Sequence, residues 1–181
     1  MTRCEDLNIT FIHLPKNGGS SISNWLVENA GGEEYYDAMR HTSLERLAPL
    51  FGDMGWSFCV VRNPWDRIIS WWKYWTKQKR TSGSFAEYLD RALSNPSAIS
   101  NNMISNQLQN MAGVDCVLRF ESLNKDFEIV QDKVNCYKSL PFDNVSWKTD
   151  YTKHYETQKM IDIVGDYYEQ DIKHFGYKFG E

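Results

Sequence analysis

Lys16, Ser20 and Ser21 surround a pair of glycines in the segment PKNGGSS, Pro15–Ser21. Arg62 and Ser70 stand eight residues apart in a second segment, VVRNPWDRIIS, Val60–Ser70. These residue types bind anions. Arg offers a rigid fork of donors, Lys a mobile cation, and Ser a hydroxyl. Glycines let backbone N–H groups approach a ligand closely, and a helix that opens just after them adds its positive end. Two such segments suit a ligand that carries phosphates at both ends.

The elements that must position these residues are legible as alternating patterns. A β-branched and aromatic run predicts a strand over 8–14, and Ile22, Trp25 and Leu26 predict a helix over about 19–30. Thr42 with Glu45 reads as a capping box for a short helix ending near Leu50. A strand over 57–61 leads to a helix over about 65–79, with Trp65, Ile68, Ile69 and Trp72 on one face. Ser84 with Glu87 caps a further helix, whose stripe is Phe85, Tyr88, Leu89, Ala92 and Leu93. Asn95–Asn110 is polar and reads as loop with a short helix, and Val114–Phe120 as a third buried strand. Phe127, Val130 and Val134 mark a helix, and Ile161, Val164, Tyr168, Ile172 and Phe175 mark the last one. Strands separated by helices imply an α/β fold, one domain over residues 1–181 with a central parallel sheet flanked by helices. There is no repeat, low-complexity tract or linker to divide it.

The two segments resemble the 5′-phosphosulfate loop and the 3′-phosphate motif of sulfotransferases that use 3′-phosphoadenosine 5′-phosphosulfate (PAPS). The likeness is closest to the carbohydrate and uronyl 2-O-sulfotransferase branch. A histidine segment, Arg40-His41-Thr42-Ser43, an RFESL stretch at Arg119–Leu123 and the closing segment from Tyr151 to Tyr177 fit in the same order. The resemblance implies a P-loop-like sulfotransferase fold and transfer of a sulfuryl group from PAPS to an acceptor hydroxyl, with a carbohydrate as the leading acceptor. Under it, Lys16 contacts the oxygen bridging phosphate and sulfate, and Asn17, Gly18, Gly19, Ser20 and Ser21 cradle the 5′ phosphate. Arg62 and Ser70 hold the 3′ phosphate, while Arg67 is better read as orienting its helix. His41 matches the family's histidine between the motifs and is the expected general base. Its place just before the Thr42 cap would favour the neutral ring. A solvent-exposed turn histidine is the competing reading, and His13, in the first strand beside the loop, is a second candidate. His154 and His174 read as structural or exposed. Arg119 ends the third strand, where ligands collect in open α/β sheets, or else pairs with Glu121. Lys148 lies in a region that closes over the nucleotide in such enzymes.

Composition sets bounds on these readings. With 181 residues, 41 % hydrophobic and 14 % aromatic, the chain can bury a core of its own. No run reaches the roughly 18 apolar residues of a membrane span, and MTRCEDLNITF is too polar and acidic for a secretory signal. Cysteines at 4, 59, 116 and 136 show no CxxC pairing, so a reducing, cytoplasmic setting without structural zinc is expected. Golgi members of the resembled family carry an anchor and stem, whose lack here implies a bacterial, viral or similarly cytosolic homologue, or a shortened chain. The net charge of −4 hides a local excess of Arg62, Arg67, Lys73, Lys77, Lys79 and Arg80 against Asp66. That stretch fits an anionic ligand or a solvated helix face, and with an acidic chain overall nucleic acid is not an expected partner. Trp71, Trp72, Tyr74 and Trp75 beside it read as core for at least half, or as faces for sugar rings. No metal is required in principle, because lysine and helix dipoles can carry the electrostatics, and no DxD-like or His/Cys cluster exists. Two other function classes stay open. A non-catalytic module binding nucleotide or anionic glycan would keep the phosphate sites and lose the base. A P-loop nucleotide kinase would place its lysine after the glycines, whereas Lys16 precedes them.

Overall fold

Thr2–Cys4 (β1) and Ile9–Ile12 (β2) form an antiparallel hairpin, closed at Asn8, which adopts φ 49° while its N–H donates to the Glu5 carbonyl at 2.9 Å. Asparagine is one of the few residues that enters the left-handed region at small cost. The structure is a computed structural model and describes residues 1–36, 39–94, 105–141 and 150–181. The candidate Lys148 and most of the polar stretch after Asn95 lie outside the described residues. The chain divides into two compact units, Met1–Arg62 with Gln109–Val145, and Asn63–Leu108 with Ser146–Glu181.

The first unit holds a five-stranded sheet in the order β3-β1-β2-β4-β5, where β3 is Glu33–Glu34, β4 Trp56–Val61 and β5 Cys116–Arg119. β2, β4 and β5 run parallel, with Phe11 opposite Phe58 and Val60 opposite Leu118. These are the three strands expected, each within a few residues of its predicted ends. β1 and β3 are additions, paired antiparallel at one edge of a mostly parallel sheet. They escape the hydrophobic pattern because β1 buries polar side chains. Thr2 Oγ1 donates to Ser23 Oγ at 2.7 Å, and Arg3 donates to the Asp53 carbonyl at 2.8 Å.

The core of this unit lies on one face of the sheet, where Ile9, Phe11, Phe58, Val60 and Leu118 meet Ile22, Trp25 and Leu26 of the helix Gly19–Ala30 (α1). Phe127 and Val130 join them from the helix Glu128–Val134 and the residue before it. Trp25 sets its ring edge-on to Phe127 at 5.0 Å and donates Nε1–H to the Lys138 carbonyl at 2.8 Å. α1 stops at Gly31, whose φ of 62° and N–H bond to the Leu26 carbonyl make a glycine C-cap. The helix Leu44–Phe51 (α2) begins one residue later than the capping box implied, with Ser43 at its N-cap and no side-chain cap bond.

The second unit is helical in its described residues. Pro64–Lys77 (α3) starts on a proline, and Asn63 Oδ1 accepts from the Trp65 N–H at 3.1 Å. Ser84 and Glu87 exchange the two bonds of a capping box ahead of Phe85–Ser94 (α4), as expected. The last helix breaks at Tyr168 into Gln158–Tyr167 and Glu169–Phe175. The fold is thus α/β, with a central sheet and flanking helices. No helix of the described residues is long and apolar enough to cross a membrane.

Trp25→Ala removes a fully buried ring together with its hydrogen bond, so urea unfolding should register a loss of about 3–5 kcal/mol. Val27→Ala, one turn-face away and 45 % exposed, should stay within about 0.5 kcal/mol. Similar losses at both positions would contradict the packing described.

Candidate functional site

Between the end of β2 and the start of α1 the backbone turns left-handed twice, at Lys16 (φ 69°) and Gly18 (φ 79°). Glycine takes that conformation freely; lysine does not, so Lys16 is held there by its surroundings. Conformation favours glycine at 18, and contact restricts both 18 and 19. A β-carbon on Gly18 would come within 3.1 Å of the Phe120 ring, and one on Gly19 within 2.2 Å of Cδ2 and Nε2 of His13. Gly18 caps α1 without a side-chain bond, and the first turn contains no acidic residue. The positive end of α1 is therefore not neutralised from within the helix, and the half-buried Ser20 and Ser21 stand beside it.

Two buried side chains brace this loop. Asn17, 1 % exposed, donates Nδ2–H to the Val60 carbonyl of β4 at 2.6 Å. Arg62, 2 % exposed, donates to the Lys16 carbonyl at 3.0 Å and lays its guanidinium 4.0 Å over the Phe120 ring. The structure thus turns the Asn17 side chain inward, to the sheet, and brings Arg62 directly onto the loop that sequence reasoning assigned to the other phosphate. Burial, with the Arg62 charge second, brings the Lys16 ammonium down to about 8. Phe120 was not singled out from sequence, although an aromatic residue directly after a buried strand was the available signal. Arg119 stands opposite Val61 at the C-terminal end of β5, exposed, with its N–H on Asp126.

His41 reaches the same place from the segment before α2. Its Nδ1 lies 2.9 Å from the main-chain oxygen of His13. A carbonyl oxygen only accepts, so Nδ1 carries the proton and the lone pair of the neutral ring falls on Nε2. The two imidazoles meet edge to face with centroids 4.8 Å apart. With the cap at Ser43, what orients His41 is the end of β2 rather than the helix expected at Thr42. The His13 ring is 5 % exposed, and burial holds it well below the usual histidine range, with His41, Arg40, the α-amino group and Lys16 acting in the same direction.

In the second unit Ser70 is buried on α3. Arg67 is 1 % exposed and donates to the Ser105 carbonyl at 3.0 Å, in line with its structural reading. Trp71 and Trp75 are buried and stacked at 5.5 Å, with Arg80 5.0 Å from the Trp75 ring, while Tyr74 is exposed. His154 packs edge-on against Trp72, and His174 is exposed. Among the described residues no group of three or more His, Cys, Asp or Glu side chains is gathered in a way that could hold a metal. Gly19→Ala should cost about 1–3 kcal/mol in chemical denaturation, since its methyl group overlaps the buried His13 ring. Restoration by a second change, His13→Ala, is the expected sign that the overlap is the cause.

The sequence model described as the sulfotransferase family matches residues 1–178. No curated protein matches the chain. Among solved structures, a sulfotransferase from Alicyclobacillus acidocaldarius is similar at 14 % sequence identity and a TM-score of 0.47. The likeness covers 71 % of this chain and 56 % of that one, so the chain spans little more than half the length of that relative. Because the family match runs over nearly every residue, the chain belongs to the sulfotransferase family.

Proposed function

We propose that the chain, as one sulfotransferase-like domain, moves a sulfuryl group from PAPS to an acceptor hydroxyl, with carbohydrate as the acceptor class. The observation that carries this reading is the Lys16–Ser21 loop. It sets a partly buried ammonium, two serines and an unneutralised helix end around one place, with His41 adjoining through His13. Family membership supports sulfuryl transfer in general, and the branch resemblance of the two motifs supports the acceptor class. In the displacement, the acceptor oxygen forms a bond to sulfur as the bond from sulfur to the bridging oxygen breaks. The acceptor's proton passes to Nε2 of His41. The electron pair of the broken bond stays on the bridging oxygen, which leaves on the 5′ phosphate of adenosine 3′,5′-bisphosphate beside Lys16. Arg62, and Ser70 by the motif alone, read the 3′ phosphate; Arg119 and Lys148 remain assignments from sequence.

The test is PAPS consumption with a library of labelled acceptors, sugars first. Lys16→Ala should lower turnover by about 10²-fold or more while changing affinity for the bisphosphate far less, because its partner charge grows in the transition state. The depressed Lys16 pKa also fixes a pH dependence. Free protein loses that charge as pH rises through about 8, so kcat/KM for PAPS should fall there. Lys16→Arg, whose charge persists, should abolish that limb. His41→Ala should cut turnover and spare nucleotide binding; a well-folded variant with normal activity removes His41 as the base.

Arg62→Ala should weaken PAPS by roughly 1.5–3 kcal/mol and leave a nucleotide lacking the 3′ phosphate nearly unaffected. Equal losses for both nucleotides would return Arg62 to the bracing role its bond to Lys16 describes.

A further inference from the structure

His13 is buried beside the loop, yet nothing in the displacement uses its side chain. Its ring stacks on Phe11 at 5.6 Å and meets His41 edge to face. Packing alone would be served as well by phenylalanine. Burial, with His41, Arg40 and Lys16 acting in the same direction, makes a positive charge there unfavourable, so the ring is neutral and carries a single N–H. Nδ1 is buried and has no hydrogen-bond partner. An orphaned buried N–H is rarer than an orphaned acceptor, which puts the proton on Nε2. The Nε2–Cδ2 edge is the one that lies against Gly19, at the first residue of α1, where the loop gathers its anion donors.

We propose that His13 donates its Nε2–H to an oxygen of the phosphosulfate end of the donor nucleotide. The assignment rests on the sulfuryl-transfer reading and adds to it a neutral donor. Neutrality has a use here: the anion gains a hydrogen bond, and His41 keeps its capacity to take a proton without a charged neighbour at 4.8 Å.

Two variants separate donation from packing. His13→Phe keeps an aromatic ring and the stack on Phe11 but has no donor; His13→Gln gives up the ring and keeps an N–H at a similar reach. Calorimetric titration with PAPS and with adenosine 3′,5′-bisphosphate, beside a thermal melt of each protein, reads the difference. Donation predicts that His13→Phe loses about tenfold in PAPS affinity while His13→Gln stays within a few-fold of the parent protein. A loss confined to PAPS assigns the bond to a sulfuryl oxygen, and a loss with both nucleotides assigns it to the 5′ phosphate. The reverse order, with the phenylalanine variant binding normally and the glutamine variant failing, makes His13 a packing residue and overturns the proposal. Nitrogen-15 spectra of the histidines in the unmodified protein give a reading that needs no variant. His13 should carry its proton on Nε2 and shift when PAPS is added; a proton on Nδ1 overturns the assignment. If the parent protein binds neither nucleotide, the sulfuryl-transfer reading falls first and this inference falls with it.

Discussion

Two hydrogen bonds made by buried side chains join the anion loop to the sheet, one from Arg62 to the Lys16 carbonyl and one from Asn17 to the Val60 carbonyl. They run in opposite directions between the same two stretches of chain, so neither stretch can shift without breaking a bond in a place closed to water. A buried donor or acceptor left unmet costs about 1–3 kcal/mol. That penalty makes the turn at Lys16 and Gly18 a fixed feature rather than one conformation among several. The direction of Lys16, the contact of Gly18 with Phe120 and the closeness of Gly19 to His13 all follow from it.

The electrostatics of the first unit follow from the same closeness. Lys16 and Arg40, the latter paired with Glu34 at 3.2 Å, act on the buried His13 ring, and Arg62 acts on Lys16. Positive charge gathered without acids in the first turn of α1 is unfavourable by itself and is relieved by an anion. Burial is the larger cause of the lowered Lys16 pKa and of the neutral His13 ring, and the neighbouring cations act in the same direction. In the proposed reaction, binding of a doubly charged nucleotide end would reverse the balance, since it favours the protonated lysine.

The parallel strands and the helices α1, α3 and α4 were legible because their apolar residues repeat with the right period and their caps are chemically distinct. Asn63-Pro64 and the Ser84–Glu87 pair are examples. β1 was not, since Thr2 and Arg3 are buried through hydrogen bonds that leave no apolar alternation to read. The break at Tyr168 went unseen for a related reason: Val164, Tyr168 and Ile172 continue one helical stripe across the non-helical backbone of Tyr168 (φ −104°, ψ 24°). In the site, residue type pointed to Lys16, Arg62 and His41, but not to the direction each side chain faces. Asn17 turning to the sheet, Phe120 lying under Arg62 and His41 hanging from the end of β2 are long-range contacts. No local pattern encodes contacts between residues 46 or 58 positions apart, as Lys16 and Arg62 or Arg62 and Phe120 are.

Lys16 holds a backbone conformation that belongs by preference to glycine, and a lysine there costs about 1–2 kcal/mol. Judged by folding alone, position 16 should drift towards glycine, and any screen that selects for heat resistance or expression should return that change readily. The same change deletes the amine. Stability and the role proposed for the amine therefore pull in opposite directions at this residue, and a library selected for robustness alone would discard the lysine.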